Sequence, residues 1–353
     1  MARTPRAPGA APTIVEVAEK AGVSIKTVSR VLNQEPGVHE KTRETVLQVV
    51  AELKYRPKLS ARSLAGARSF LIGLLYYDPS AVFVGGVQQG ATLRCREAGY
   101  HLVVESLHND APDLEQQIER MVLALRPDGM VLTPPLCDNP KVLAALRATS
   151  TPCVLIAPGF HPGQGGALDL VQADLPTVGM DDLRAAEEVT QLLIGLGHRR
   201  IAHIKGAADQ SAAGQRYQGF LNAMAQHHLS VDAELVYQGA FTYASGVAGA
   251  EQLLTCSVRP TAVFAANDDM ALGVLAVAQR LGLSVPRDLS IVGFDDSQAA
   301  GLVWPPLTTV RQPMAGMARA AVEMLISPTG GPAPHRILPH ELIVRHSTTA
   351  PPA

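Results

Sequence analysis

The feature that most constrains the fold is an alternation of short apolar strands with amphipathic helices, which begins at Phe70. Alternation at this spacing is typical of parallel sheets covered by helices on both faces. The expected strands start with 70–76, 101–105 and 129–133, and the regular series ends with 290–294. About ten strands are too many for one comfortable sheet. We therefore expect two doubly wound lobes, with the glycine-rich segment 158–166 between them.

The end of the chain adds a further helix and a last strand to this pattern. The helix is expected over 314–325 and the strand over 341–345. An extra helix and strand after a completed series indicate that 311–353 crosses back between the lobes.

The first part of the chain is helical instead. Thr13 and Glu16 form the spacing of a capping box, and Gly22 ends the first helix. Ser24 caps a second helix, which runs to Leu32. A third helix is expected over 40–53, and its core face is expected to be Val46, Leu47, Val50 and Leu53.

The first two of these helices have the spacing of a helix-turn-helix. Ala18 is small enough for a close helix crossing, Gly22 tolerates a positive φ in the turn, and Val28 faces back onto the first helix. In that motif the start of the second helix meets base edges in the major groove of DNA. Glycine turns also join ordinary helical hairpins. The spacing therefore fits a DNA-binding helix-turn-helix and an ordinary hairpin alike.

Charge is divided unevenly along the chain. Residues 1–70 hold 12 Lys and Arg and 6 Asp and Glu, a net charge of +6. Subtracting these from the chain totals of 30 and 32 leaves 18 basic and 26 acidic residues, a net charge of −8. A basic head on an acidic body favours contact of the head with a polyanion, although a solvated basic surface gives the same count.

Several classes of protein are disfavoured by composition and motifs. Apolar residues make up 47% of the chain, but no run approaches the ~18 of a membrane helix. The start lacks the apolar stretch of an export signal, so we expect a cytoplasmic protein that contacts no membrane. Nucleotide loops, HExxH and GxSxG are absent, so we expect no enzymatic activity, cofactor or metal. The cysteines are expected to be reduced and mostly buried: Cys95, Cys137, Cys153 and Cys256.

The sequence resembles a known family, the LacI/GalR transcriptional regulators. The likeness is carried in order along 13–348 by AEKAGVSIKTVSRVLN, KTRE, ELKYRP, SLAG, RPDG, LGHRRIAHI, RPTAVFAANDDMALG and WPPLTTVRQP. The resemblance implies a multidomain α plus α/β fold. Its parts are a three-helix helix-turn-helix domain, a hinge helix and two doubly wound parallel-sheet lobes like those of periplasmic binding proteins.

The resemblance also implies a set of DNA-binding residues. The positions that match the family's contacts with phosphates and the DNA backbone are Thr13, Ser24, Thr27, Ser29, Asn33 and Tyr55. The positions that match its base-reading residues are Ile25, Lys26 and Arg30. Leu64 matches the hinge leucine that wedges into the minor groove, with Ala61 and Ala65 beside it in the hinge. A contact of Leu64 with the body is the alternative. His39 departs from the family, which usually caps the third helix with serine.

The body is implied to bind a small sugar between its lobes. The matching positions are Tyr77, Asp78, Ser80, Phe83, Arg216, Phe241, Asn267 and Asp295. Carboxylate, amide and guanidinium groups together can bond the hydroxyl groups of a sugar. The alternatives are structural: Asn267 could cap the following helix, Arg216 could pair with an acid on its own helix, and Asp295 or Asp296 could cap a turn.

The resemblance and the pattern together give the expected domain limits. They are a disordered extension 1–12, a DNA-binding domain 13–57, a hinge 58–69, an N-lobe of 70–178 and 311–336, and a C-lobe of 179–310 and 337–350.

We expect a repressor of carbohydrate-utilisation genes that binds a palindromic operator in double-stranded DNA as a homodimer and responds to a sugar effector. A sugar-transport component with an incidental helical cap and an α/β enzyme are the rival interpretations. The missing export signal and the basic head argue against the first, and the missing nucleophile or cofactor loop against the second.

Overall fold

The computed structural model describes residues 12–32, 35–55, 68–77, 80–159, 174–328, 331 and 333–352. The chain divides into two compact units, Met1–Ser69 and Phe70–Ala353. The first unit is the head, and the second is the body.

Three helices form the head: α1 (Ile14–Ala21), α2 (Ile25–Leu32) and α3 (Glu40–Glu52). The capping box at the start of α1 is present, and Gly22 ends α1 in the left-handed conformation with φ 67°. Both features confirm the predicted local structure.

One prediction about the core of the head is wrong. Leu47 is 47% exposed, whereas Val49 is buried beside Val46. Positions 46, 49, 50 and 53 follow the three-and-four spacing of one helix face, and position 47 lies about 100° around the helix from 46. The head core is Val17, Ala18, Val28, Val31, Val46, Val49 and Tyr55.

The body alternates strands and helices in chain order. Its first part contains β1 (Leu71–Tyr76), α4 (Ala81–Glu97), β2 (His101–Ser106), α5 (Leu114–Leu125), β3 (Gly129–Leu132), α6 (Pro140–Ala148), β4 (Cys153–Ile156) and β5 (Thr177–Gly179). Its second part contains α7 (Asp182–Gly195), β6 (Ile201–Lys205), α8 (Ser211–Gln226), β7 (Val236–Gln238), α9 (Tyr243–Leu253), β8 (Ala262–Ala265), α10 (Asp268–Arg280), β9 (Ser290–Val292) and α11 (Gln298–Leu302). The last elements are β10 (Thr309–Arg311), α12 (Met314–Ile326), β11 (His335–Ile337) and β12 (Glu341–Ile343).

Two parallel sheets organise these elements. The first sheet has the order β11-β5-β4-β3-β1-β2, and the second has the order β7-β6-β8-β9. Each sheet has an apolar core on both faces, because successive residues of a buried strand point to opposite sides. Leu74 and Leu75 of β1, for example, lie in different cores. This arrangement confirms two doubly wound parallel-sheet lobes.

The glycine-rich segment does not separate the lobes. Strands β4 and β5 lie on either side of it, and they pair in the first sheet with Leu155 opposite Thr177. The chain passes to the second lobe between β5 and α7 instead. It returns between β10 and α12, and it crosses again between β11 and β12.

Other predicted elements differ at their ends. β9 stops at Val292 and β12 at Ile343, so both are shorter than predicted. Strand β12 pairs antiparallel with β10, which the sequence pattern did not reveal. Cys95, Cys137 and Cys153 are free and buried, and Cys256 is free and partly exposed, as predicted.

Candidate functional site

The N-terminal end of α2 presents a polar surface on the head. Ser24, Ile25 and Lys26 are exposed, and Ile25 is 47% exposed although it is apolar. The Ser24 hydroxyl accepts a hydrogen bond from the Thr27 amide at 3.1 Å, so it caps α2 as predicted. The start of α2 therefore carries an exposed cation and an exposed apolar side chain that the core of the head does not use.

The other predicted DNA-binding residues of the head are more constrained. Arg30 donates to the Pro36 carbonyl at 2.7 Å and lies 3.5 Å from a Glu35 carboxylate oxygen. Thr13 is engaged in the capping box. Tyr55 packs in the head core, where burial raises its pKa. Ser29 is half-buried on α2. The predictions for Asn33, Ala61, Leu64 and Ala65 lie outside the described residues.

A cavity lies between the two lobes of the body. Its volume is about 410 Å³, including the part that is open to solvent. The lining residues are Ser80, Phe83, Pro134, Ala157, Asp182, Gln210, Ala212, Arg216, Phe241, Asn267, Asp295 and Gln312.

Six of the eight predicted effector-binding residues line this cavity. They are Ser80, Phe83, Arg216, Phe241, Asn267 and Asp295. Tyr77 does not line it, and its ring packs against His108 with centroids 4.9 Å apart. Asp78 lies outside the described residues. Three further polar residues line the cavity and were not predicted from the sequence: Asp182, Gln210 and Gln312.

Arg216 and Asp182 form a buried ion pair in the cavity wall. The Arg216 Nε donates to an Asp182 carboxylate oxygen at 2.8 Å, and both side chains are 5% exposed. The Arg216 Nη1 donates to the Ala266 carbonyl at 2.6 Å, and its guanidinium lies 3.7 Å from the centre of the Phe294 ring. This combination fixes the plane of the guanidinium. The alternative of a pair with an acid on its own helix is wrong, because Asp182 lies on α7 and Arg216 on α8. Arg216 also lines the cavity, as predicted.

Two neighbouring side chains of the cavity wall also have protein partners. The Asn267 side chain caps α10 by accepting from the Met270 amide at 3.0 Å, and it donates to the Phe241 carbonyl at 2.9 Å. The Gln312 amide donates to an Asp295 carboxylate oxygen at 2.6 Å. Asn267 therefore has the capping role given as its alternative and also lines the cavity.

The backbone is strained where these side chains converge. Phe241, Asp295 and Asp296 have φ values of 58°, 127° and 56°, which residues with a Cβ adopt at a cost. Such conformations persist where the surrounding contacts require them, and they are frequent at binding sites.

Hydrogen bonds to the buried Asp268 carboxylate connect this strained segment to its surroundings. Its carboxylate accepts from the Thr309 hydroxyl and from the Ser297 amide, each at 2.7 Å. Burial raises the pKa of Asp268 to about 6, against the lowering effect of these hydrogen bonds. Asp268 thus ties the first turn of α10 and the 295–297 segment to β10.

Two histidines of the second lobe, His198 and His203, are buried. His198 contacts Thr261, Ser290 and the Thr349 carbonyl, and His203 contacts the Phe264 carbonyl at 2.9 Å. Across the described ranges, no group of three or more His, Cys, Asp or Glu side chains could hold a metal ion. In the same part of the chain, none of the helices combines the length and apolar character that spanning a membrane requires.

Comparison with known proteins places this architecture in a family. Residues 13–58 match the family described as bacterial regulatory proteins, lacI family, and residues 190–348 match the periplasmic binding protein-like domain. The chain is 33% identical to the ribose operon repressor of Haemophilus influenzae over 315 residues, which cover 89% of this chain and 91% of that protein.

Solved structures agree with this match. The complex of the transcriptional regulator CelR with cellobiose has a TM-score of 0.70 and 31% identity, covering 95% of this chain and 99% of the other. The lac repressor dimer bound to operator and the anti-inducer ONPF has a TM-score of 0.79 and 29% identity, covering 96% and 99%.

A helix-turn-helix head followed by a two-lobed α/β body defines a DNA-binding transcriptional regulator rather than an enzyme. The chain belongs to the LacI family of bacterial transcriptional repressors. This confirms the resemblance found in the sequence.

Proposed function

We propose that this protein is a homodimeric repressor that binds a palindromic operator inside the cell. Binding of an uncharged sugar in the interlobe cavity controls the affinity of the protein for this operator. The observation that carries this proposal is the cavity, where an ion pair, amides and aromatic rings meet between the two lobes. Relatives of the chain include a ribose operon repressor and a regulator solved with cellobiose.

The charge of the cavity wall favours a neutral effector. The positive charge of Arg216 is balanced by Asp182 at 2.8 Å, and Asp295 adds a second carboxylate. Lys, His and a second Arg are absent from the described lining, so one formal negative charge is in excess. A phosphate or carboxylate on the effector would meet this excess in a partly desolvated site, where like charges repel strongly. Hydroxyl groups carry no such penalty, and carboxylates and amides accept hydrogen bonds from them.

Gln210 is the polar lining residue that is best placed to contact the effector. It is 7% exposed, and its side-chain amide has no hydrogen-bond partner among the described residues, although backbone bonds fix its position. A hydroxyl group bound in the cavity could donate a hydrogen bond to this amide or accept one from it.

A panel of matched sugars tests the effector proposal. Ribose, glucose and cellobiose are titrated into the full-length protein by calorimetry, together with ribose 5-phosphate and glucose 6-phosphate. We expect at least one neutral sugar to bind and each phosphate ester to bind less tightly than its parent sugar. Tighter binding of the phosphate esters would contradict the proposal.

The head supplies the DNA contacts in this proposal. Ile25 and Lys26 stand exposed at the start of α2, where Lys26 can donate to guanine and Ile25 can contact a thymine methyl group. Arg30 is also proposed to read a base, which requires it to exchange its contacts with Pro36 and Glu35.

Lys26→Ala in the full-length protein tests this assignment. We expect about 1–3 kcal/mol weaker binding to the selected operator and weaker discrimination at one base position. Lys141→Ala is the matched control, because Lys141 is exposed on α6 of the body. Equal effects of the two substitutions would remove Lys26 from the proposed interface.

A further inference from the structure

Asp138 connects the two lobes at the rim of the cavity. It ends a short 3-10 turn after β3 in the first lobe. One carboxylate oxygen accepts from the Gly159 amide at 2.8 Å, also in the first lobe. The other accepts from the Ser211 hydroxyl at 2.9 Å, and Ser211 is the first residue of α8 in the second lobe.

The second-lobe partner of Asp138 belongs to the helix that carries the cavity wall. Gln210 precedes Ser211, and Ala212 and Arg216 follow it on α8, and these three residues line the cavity. A carboxylate at the N-terminal end of a helix also interacts favourably with the helix dipole. The contact therefore acts directly on the helix that positions Arg216.

The approach of the lobes at this point is close. A Cβ on Gly159 would lie 2.1 Å from the Ser211 hydroxyl oxygen and 3.6 Å from an Asp138 carboxylate oxygen. The backbone of the first lobe thus meets the start of α8 at a distance that an alanine at position 159 would not permit. Three chain segments, from both lobes, are fixed together by one carboxylate.

We propose that Asp138 is a positioning residue that latches the lobes in the arrangement seen here. Rotation of the lobes away from each other must break the Asp138–Ser211 bond, since its two partners move with different lobes. The latch therefore adds to the stability of this arrangement and limits the separation of the lobes. It does not depend on which effector binds.

Hydrogen exchange of the full-length protein without a ligand tests the latch. The variants are Ser211→Ala, which removes the donor, Ser211→Thr, which retains a hydroxyl, Asp138→Ala, and the double variant Asp138→Ala with Ser211→Ala. The informative amides lie in cavity segments away from the substitutions, 80–84 and 267–270. Strands β6 and β8 report on the stability of the second lobe.

We expect exchange in 80–84 and 267–270 to be roughly 2- to 10-fold faster in Ser211→Ala, as for the loss of one hydrogen bond. Exchange in β6 and β8 should stay at the wild-type rate, and Ser211→Thr should restore slow exchange. The double variant should exchange no faster than the single variants, because both remove the same bond.

The proposal is wrong if the amides of 80–84 and 267–270 exchange at the wild-type rate in Ser211→Ala. It is also wrong if the effects of the two substitutions add in the double variant. Failure of sugars to bind in calorimetry would reject the proposed effector and leave this test unaffected.

Discussion

At the scale of single residues, the cavity wall is built from groups that serve the fold and the site together. Arg216 lies in the cavity but is also paired with Asp182, and Asn267 lines it while capping α10. For Asn267 the sequence predicted two roles as alternatives, and both occur. Such dual use cannot be read from the sequence, because a capping residue and a lining residue have the same polar chemistry.

The Arg216–Asp182 pair gives a prediction about stability. Asp182→Ala leaves a buried guanidinium without its counterion, which should lower the free energy of unfolding by about 3–5 kcal/mol. Glu251→Ala is the control, since its pair with Arg280 is exposed and should cost at most about 1 kcal/mol. Urea unfolding of both full-length variants measures the difference. Equal losses would show that burial does not strengthen the Asp182 contribution.

His203 gives a prediction about pH. Burial lowers the pKa of His203 to about 3, so the folded protein keeps this histidine neutral while the unfolded chain protonates it near pH 6.5. The folded state therefore loses stability as the pH falls below about 6.5. From pH 7.5 to 5.0, this one group should remove about 2 kcal/mol.

The variant His203→Phe isolates that effect, because His203 packs among the rings of Tyr217, Phe220 and Phe264. Its free energy of unfolding should fall by about 2 kcal/mol less than the wild-type value between the two pH values. An identical fall in both proteins would place the pH dependence elsewhere. The absolute stability of the variant does not enter this comparison.

At the scale of elements, the sequence predicted long, strongly patterned segments well and short ones poorly. The capping box, Gly22 and the apolar spacing located α1 and α2 at their observed ends. Strands β10 and β11 were missed because each contains a single apolar residue, Val310 or Ile337, and therefore shows no apolar pattern. β11 is defined by its pairing with β5, which is far away in the sequence.

Helix α3 gives a prediction at this scale. His39 occupies its N-cap position and makes no side-chain capping bond. His39→Ser supplies a hydroxyl acceptor for the free amides of the first turn and should stabilise α3 by about 0.5–1 kcal/mol. Slower hydrogen exchange of the α3 amides in the full-length protein would show this. Unchanged α3 exchange would mean that another group already satisfies these amides.

At the scale of the whole molecule, the division of charge and the division of fold coincide. The head carries a net charge of +6, and the body forms the two sheets and the cavity. The lobe architecture followed from the alternation of strands and helices. Glycine-rich composition indicated a passage between the lobes at 158–166, whereas the domain limits that drew on the resemblance put it at 178–179. Pairing of β4 with β5 places the passage after Gly179. Composition marks a loop, and pairing alone shows which sheet the next strand joins.

The central claim is that the basic head reads double-stranded DNA under control of the body. Selection of duplexes from a random library by the full-length protein, at about 50 mM and 200 mM salt, tests it most directly. We expect one enriched sequence with two-fold symmetry and an affinity that falls steeply with salt, because phosphate contacts release counterions. Failure to enrich any sequence, or binding that is indifferent to salt, would contradict the claim.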